Sequence, residues 1–302
     1  MRPARLFLLA MLVGAMVGAL LIQAPPAGAT FPGKNGKIAF ASDRSGNDEI
    51  YTMAPDGTGV HRLTHFAGID ENPAWSRSGA RIAFDRRHHG NTDVFVMNAD
   101  GTGVKRVTKN TAEDFDPAWS PGGKWVAFTS QRTGHGDIWI INLFSGALRR
   151  VTKSSAEDVT PDWSPDGKRI AFMSLRNGNA DLFTIHPDGT HLKQVTTSKG
   201  DDVLPSWAPS GARLAFVHVR ATGPSQQVFR IKADGTGLTR LTHSPLLKGQ
   251  VAWSPNGNRI AVTQGAEDNS DLYVMNADGS HRHKLPGGSS TAQDGSPGWQ
   301  RL

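Results

Sequence analysis

Residues 161–172 read Pro-Asp-Trp-Ser-Pro-Asp-Gly-Lys-Arg-Ile-Ala-Phe, and residues 117–128 read Pro-Ala-Trp-Ser-Pro-Gly-Gly-Lys-Trp-Val-Ala-Phe. Two stretches so alike, 44 residues apart, mark a repeat. The Trp in each belongs to a ladder of six: Trp75, Trp119, Trp163, Trp207, Trp253 and Trp299, at intervals of 44, 44, 44, 46 and 46 residues. Counting 44 back from Trp75 reaches another aromatic, Phe31. A fixed period of this length is the signature of a repeat architecture.

Within a unit, Ser-Pro-Asp-Gly is a turn, with proline pre-setting φ and glycine accepting a positive one. Ile-Ala-Phe after it is a short strand. A polar loop leads to a second run of β-formers, such as Asp93-Val94-Phe95-Val96-Met97, and then to the hairpin signal Asp-Gly-Thr-Gly at 100–103. The unit closes on Arg106-Val107-Thr108 or its equivalents Arg62-Leu63-Thr64, Arg150-Val151-Thr152 and Arg240-Leu241-Thr242. Four strands, three tight turns and no helical period make one antiparallel sheet, which cannot bury both faces alone. Six such sheets stacked radially bury one another, so the expected fold is an all-β six-bladed β-propeller. The ladder aromatics are expected between blades, rather than as a platform that stacks sugars or bases.

The chain ends on Pro297-Gly298-Trp299-Gln300-Arg301-Leu302, the start of a unit with nothing after it, and the first unit begins at its second strand, Lys37-Ile38-Ala39-Phe40. The C-terminal strand is therefore expected to complete the first blade and seal the ring. Phe31 is the competing donor of that strand, but Phe31-Pro32-Gly33 is short.

Upstream of the repeats, Arg2 and Arg5 precede an apolar run of 17 residues, Leu6 to Ile22, followed by Pro25, Pro26 and Ala27-Gly28-Ala29. This pattern describes a secretory signal over residues 1–29, cut after Ala29, with the propeller occupying 30–302. The run also approaches the roughly 17–25 residues of a membrane span, so a retained anchor is the alternative. With no Cys in the chain, an exported domain must hold together without disulfides. Past residue 29 there are 31 Lys and Arg against 27 Asp and Glu, spread along the chain. That distribution lacks the basic stripe of a nucleic-acid binder, and no second apolar span follows. A periplasmic or secreted monomer is the expectation.

An acid stands five residues before most ladder positions: Asp70, Asp114, Asp158, Asp202 and Asp294, with Lys248 in the sixth unit. Thirteen residues after the ladder position stands a base: Arg44, Arg132, Arg176 and Arg220, with His88 beside Arg86 and Arg87 in the second unit and Ala266 in the sixth. The acids are expected either as partners of those bases within each blade or as a ring at the channel mouth that attracts a cation or a basic partner. The unit that loses the acid also loses the base, which favours pairing, because a buried ion left alone costs about 3–5 kcal/mol.

No metal or cofactor is expected. The eleven His are scattered, with His88-His89 and His281/His283 the near pairs. The stretch Glu267-Asp268-Asn269-Ser270-Asp271 lacks the glycine and terminal Glu of a calcium loop. The two hairpin turns of each unit share one face, and the longer, variable loops lie on the other, where binding is usual. The irregular loops Arg86–Thr92, Ala221–Gln227 and His243–Gln250 single out a candidate contact patch of Leu246, Leu247, Lys248, His88 and His89.

Pro-x-Trp-Ser-Pro-Asp-Gly with Ile-Ala-Phe, Ser-Asp-Arg-x-Gly at 42–46, Val-Met-Asn-Ala-Asp-Gly at 96–101 and Arg-Leu-Thr resemble the β-propeller repeat of the TolB family, over the whole chain after residue 29. The resemblance implies an extracytoplasmic, protein-binding propeller, because in TolB proper that domain binds a peptidoglycan-associated lipoprotein of the Tol–Pal envelope system. TolB proper also carries an α/β domain before its propeller. Here only a few residues separate Ala29 from the first repeat, so the resemblance does not extend to membership of that system. Similar propellers are fused to prolyl-oligopeptidase-type peptidases, but no Gly-x-Ser-x-Gly elbow is present. A non-enzymatic protein-interaction scaffold is the leading expectation. The alternative is a propeller enzyme or a small-ligand or carbohydrate binder that uses the central channel, although the chain has only two Tyr, Tyr51 and Tyr273, to equip such a site.

Overall fold

The computed structural model describes residues 30–220, 226–243, 247–266, 269–288 and 292–302. The expected signal segment lies outside them. Six antiparallel four-stranded sheets form six blades around a ring, and no helix occurs among the described residues. The inner strands are Ile69–Trp75, Asp114–Trp119, Asp158–Trp163, Asp201–Trp207, Leu247–Trp253 and the C-terminal Asp294–Arg301. Each neighbours the next around the ring.

The C-terminal strand pairs with Asn35–Ser42, placing Trp299 opposite Ile38 and Gly298 opposite Ala39. It is the fourth strand of the first blade, as the incomplete terminal unit leads one to expect. Phe31 joins no strand. Its neighbours bond to the sixth blade, Thr30 Oγ1 donating to Trp253 O at 3.0 Å and Gly33 N to Pro255 O at 3.1 Å. Its ring is buried in a cluster that holds Ala74 and Ala118 of the second and third blades. The N-terminal segment thus reaches across one mouth of the channel.

The repeat's residue types follow from how the blades stack. In Ile170-Ala171-Phe172 all three side chains are fully buried, because a blade has a neighbour on both faces. The central Ala is small for a reason: it shares a core cluster with the ladder Trp of the following blade. Ala39 goes with Trp75, Ala171 with Trp207, Ala215 with Trp253 and Ala261 with Trp299. A larger residue there would collide with the indole, and overpacking of a full core costs about 1–3 kcal/mol.

The Ser-x-x-Gly turns close by a Gly167 N to Ser164 O bond of 2.9 Å, with Gly167 at φ +74°. That left-handed conformation favours glycine. The outermost strands are two or three residues long, which leaves little open edge for another chain to pair with.

Each inner strand carries a register shift just before its Trp. In five blades the shift holds a non-glycine residue at positive φ: Asn72, Asp116, Thr160, Leu204 and Ser296. In those five the next residue is proline (Pro73, Pro117, Pro161, Pro205, Pro297), and in the sixth it is Val251. Proline cannot donate to the ladder, so it is placed at a bulge. The blade without proline is also the blade whose bulge residue, Gln250, stays outside the left-handed region.

Candidate functional site

On the loop face, four of the five acids meet an arginine. Arg44 Nη2 lies 2.7 Å from Asp294, and Arg86 holds both oxygens of Asp70 through Nε and Nη2 at 2.7 Å. Arg132 Nη2 reaches both Asp114 oxygens at 2.9 Å, and Arg176 Nη2 both Asp158 oxygens at 2.8 Å. The carboxylates are fully buried. Each guanidinium also lies over an aromatic ring: Arg44 over Tyr51 at 5.0 Å, Arg86 over Phe66 at 4.2 Å, Arg132 over Trp139 at 4.5 Å and Arg176 over Phe183 at 4.7 Å. Such stacking adds roughly 0.5–2 kcal/mol. Burial still pushes Asp70 and Asp114 above the usual carboxylate range, since desolvation outweighs their arginine partners.

Two expected bases are not the ones that pair. Asp202 meets His218 Nδ1 at 2.6 Å, so Arg220 is displaced from the role assigned to it. In the second blade Arg86, not His88, takes the acid. The strand register gives the cause. Where the second strand stops early, a serine lies opposite the acid: Ser42 opposite Asp294, Ser130 opposite Asp114, Ser174 opposite Asp158. Its hydroxyl then accepts from the arginine two residues later, as Ser174 does from Arg176 Nε at 2.8 Å. Where the strand runs on, the opposite residue is itself the base, Arg86 opposite Asp70 and His218 opposite Asp202. The serine-or-base alternation at one position was available in the repeat, two residues after the Phe of Ile-Ala-Phe.

A second tier of pairs lies outside the first and was missed. Each third strand but one carries, within its first three residues, an acid that meets the Arg-x-Thr motif or its variant: Glu49 with Arg62 at 2.7 Å, Asp93 with Arg106 at 2.6 Å, Asp137 with Arg150 at 2.8 Å, Asp271 with Lys284 at 2.7 Å. Asp181 accepts from Gln194 at 3.0 Å. The motif's Thr binds the same acid and also accepts a strand N–H, as Thr108 does from Val94 at 3.0 Å. The motif is legible in the sequence, and its partner stands thirteen residues upstream of the motif's first residue.

At the bulges a third layer joins neighbouring blades. Asn72 Nδ2 donates to Asp85 at 2.5 Å and to Asp116 at 3.4 Å, and Asp116 N donates to Asp85 Oδ2 at 3.1 Å. Ser296 donates to Asn72 at 3.1 Å, so blades one, two and three are linked. Asp85 and Asp116 are buried, and burial drives both well above the ordinary carboxylate range, each also raised by a neighbouring acid. Asp162, bonded to Trp207 N at 2.6 Å, is raised by burial in the same way.

Of the candidate patch, Leu246 lies outside the described residues. Leu247 and Lys248 begin the sixth inner strand, opposite Gly265 and Gln264. His88 and His89 are far from them in the ring, on the second blade. There His88 Nε2 approaches Asp93 at 3.3 Å, and its ring meets those of His89 and Phe95 edge-on at 5.7 and 6.0 Å. The patch is therefore two places rather than one. Among the described residues no group of three or more His, Asp or Glu is arranged to hold a metal, and no helix is long and apolar enough to cross a membrane.

With this geometry established, three comparisons place the chain. The family described as TolB beta propeller domain matches residues 61–174 and 152–250. The Tol-Pal system protein TolB of Geobacter sulfurreducens is 54% identical over 44 residues, 15% of this chain and 10% of that protein. The match thus spans about a tenth of that relative's length. Among solved structures, TolB from Acinetobacter baumannii superposes with a TM-score of 0.79 at 22% identity, over 88% of this chain and 67% of that one. The putative TolB of Agrobacterium tumefaciens gives 0.67 at 24% identity, over 82% and 89%. These structural likenesses concern the fold. With the family matched across more than half of its length, the chain belongs to the TolB beta propeller domain family.

Proposed function

We propose that the protein is an exported, non-enzymatic propeller that serves as a protein-interaction scaffold in the cell envelope or outside the cell. The observation that carries this reading is the loop-face layer of buried acid–base pairs. These pairs pin the base of the variable loop in five of the six blades, so those loops stand on a rigid rim. A preformed rim binds with less ordering cost than a mobile one. The similarity to a protein named for the Tol–Pal system supports an envelope setting.

The test is affinity capture from the envelope fraction with the mature chain, compared with a His88→Ser/His89→Ser variant and a Leu246→Ser/Leu247→Ser variant. A defined protein set, depleted by one of the two variants, is the expected outcome. A capture profile unchanged by both removes the patch, and capture of no specific partner removes the scaffold role.

A further inference from the structure

A cleft of about 470 Å³ opens between the fifth and sixth blades on the turn face, opposite the loop face. Trp253, Pro32, Pro209 and Pro255 form apolar walls, and two arginines, Arg213 and Arg230, line it with them. Its size falls in the roughly 300–1,000 Å³ range of small-molecule sites.

Arg230 is out of pattern. The position opposite the central Ala of each second strand holds Thr52, Val96, Ile140, Thr184 and Val274 in the other five blades. All five are buried. In the fifth blade, opposite Ala215, it is Arg230. Its half-buried guanidinium donates from Nη1 to Ala277 O of the sixth blade at 3.1 Å, and among the described residues it meets no carboxylate. A guanidinium half out of water without a counter-charge is costly.

Arg213 differs from the arginines at its position in the second and fourth blades. There the arginine stacks on the next blade's ladder indole and donates to the next turn. Arg81 lies over Trp119 at 4.7 Å and reaches Gly123 O at 3.3 Å. Arg169 lies over Trp207 at 4.6 Å and reaches Gly211 O at 3.2 Å. Arg213, which should cap Trp253 and Gly257 O in the same way, makes neither contact among the described residues and is exposed. The cleft stands where that cap is missing. Its Pro32 wall is held by the Thr30 and Gly33 bonds to Trp253 O and Pro255 O.

We propose that this cleft is a binding site for a small aromatic carboxylate. The acid would lie against the forked donors of Arg230 and Arg213, which match a planar carboxylate. The ring would lie against the proline and indole walls. A phosphate would satisfy the charge and leave the apolar walls unused.

Benzoate is the probe, titrated calorimetrically into the full chain. Inorganic phosphate and benzyl alcohol supply the charge-only and ring-only arms. Saturable benzoate binding is expected, at least tenfold tighter than either control. Arg230→Thr restores the residue type of the first and fourth blades, so it should fold with an undiminished melting temperature and bind benzoate at least tenfold more weakly. An Arg213→Ala variant should weaken it as well. No benzoate binding, equal binding of phosphate, or undiminished affinity in the folded Arg230→Thr variant would each overturn the assignment. Loss of benzoate binding would leave protein capture on the loop face unaffected, so the two proposals fail separately.

Discussion

Deleting residues 297–302 removes the strand that seals the ring, and its cost can be estimated from named contacts. Trp299 is 3% exposed, and losing a buried Trp side chain costs about 3–5 kcal/mol. Three further hydrogen bonds go with it: Lys37 N to Gln300 Oε1 at 3.1 Å, Gln300 Nε2 to Gly79 O at 2.8 Å, and Leu302 N to Lys34 O at 2.9 Å. At about 1 kcal/mol each they bring the loss to about 6–8 kcal/mol, before the ladder pairs with Ile38 and Ala39 are counted. A domain's whole stability is about 5–15 kcal/mol. The truncated chain should therefore be largely unfolded, or melt far below the intact protein, in urea and thermal denaturation followed by near-ultraviolet circular dichroism. Trp299→Ala in the full-length chain keeps the backbone pairing and should lose about half as much, about 3–5 kcal/mol. A truncated protein with an unchanged urea midpoint would refute closure by this strand and leave the Thr30–Gly33 segment as the seal.

Three further outcomes follow from the pairs. Asp158→Ala strands the Arg176 guanidinium and should cost about 3–5 kcal/mol in urea unfolding, whereas Asp158→Ala with Arg176→Met should recover most of it. His218→Ala should destabilise while Arg220→Ala leaves the melting temperature within a degree or two; the reverse order would restore Arg220 as the partner of Asp202. Asp85 and Asp116 have folded-state pKa values raised above those of the unfolded chain. Folding thus takes up protons, and stability present below the ordinary carboxylate range of about 4 is lost as pH rises through the raised values. Asp116→Asn should flatten that fall and raise the neutral-pH urea midpoint, and parallel pH profiles for variant and wild type would count against it.

Much of this architecture is local and periodic, and such features are visible in one dimension. The Trp ladder, the Ser-x-x-Gly turns and the incomplete last unit determine six blades of four strands and a C-terminal closing strand, because each rests on a spacing or on a turn residue's own φ preference. The small Ala of Ile-Ala-Phe was also plain to see. Its reason, the indole of the following blade, lies one whole repeat away.

Which base meets each acid was decided by strand length. Arg44, Arg132 and Arg176 fold back over a serine where the second strand stops, while Arg86 and His218 pair directly where it continues, and the hydrophobic pattern does not record where a strand ends. Asp85 and Asp116, 31 residues apart, share hydrogen bonds because the blades pack side by side. Arg230 and Trp253 share a cleft for the same reason. Sequence spacing determined what each blade is made of; the packing of blade on blade decided which charges are paired, which are buried together and which arginine is left facing an open cleft.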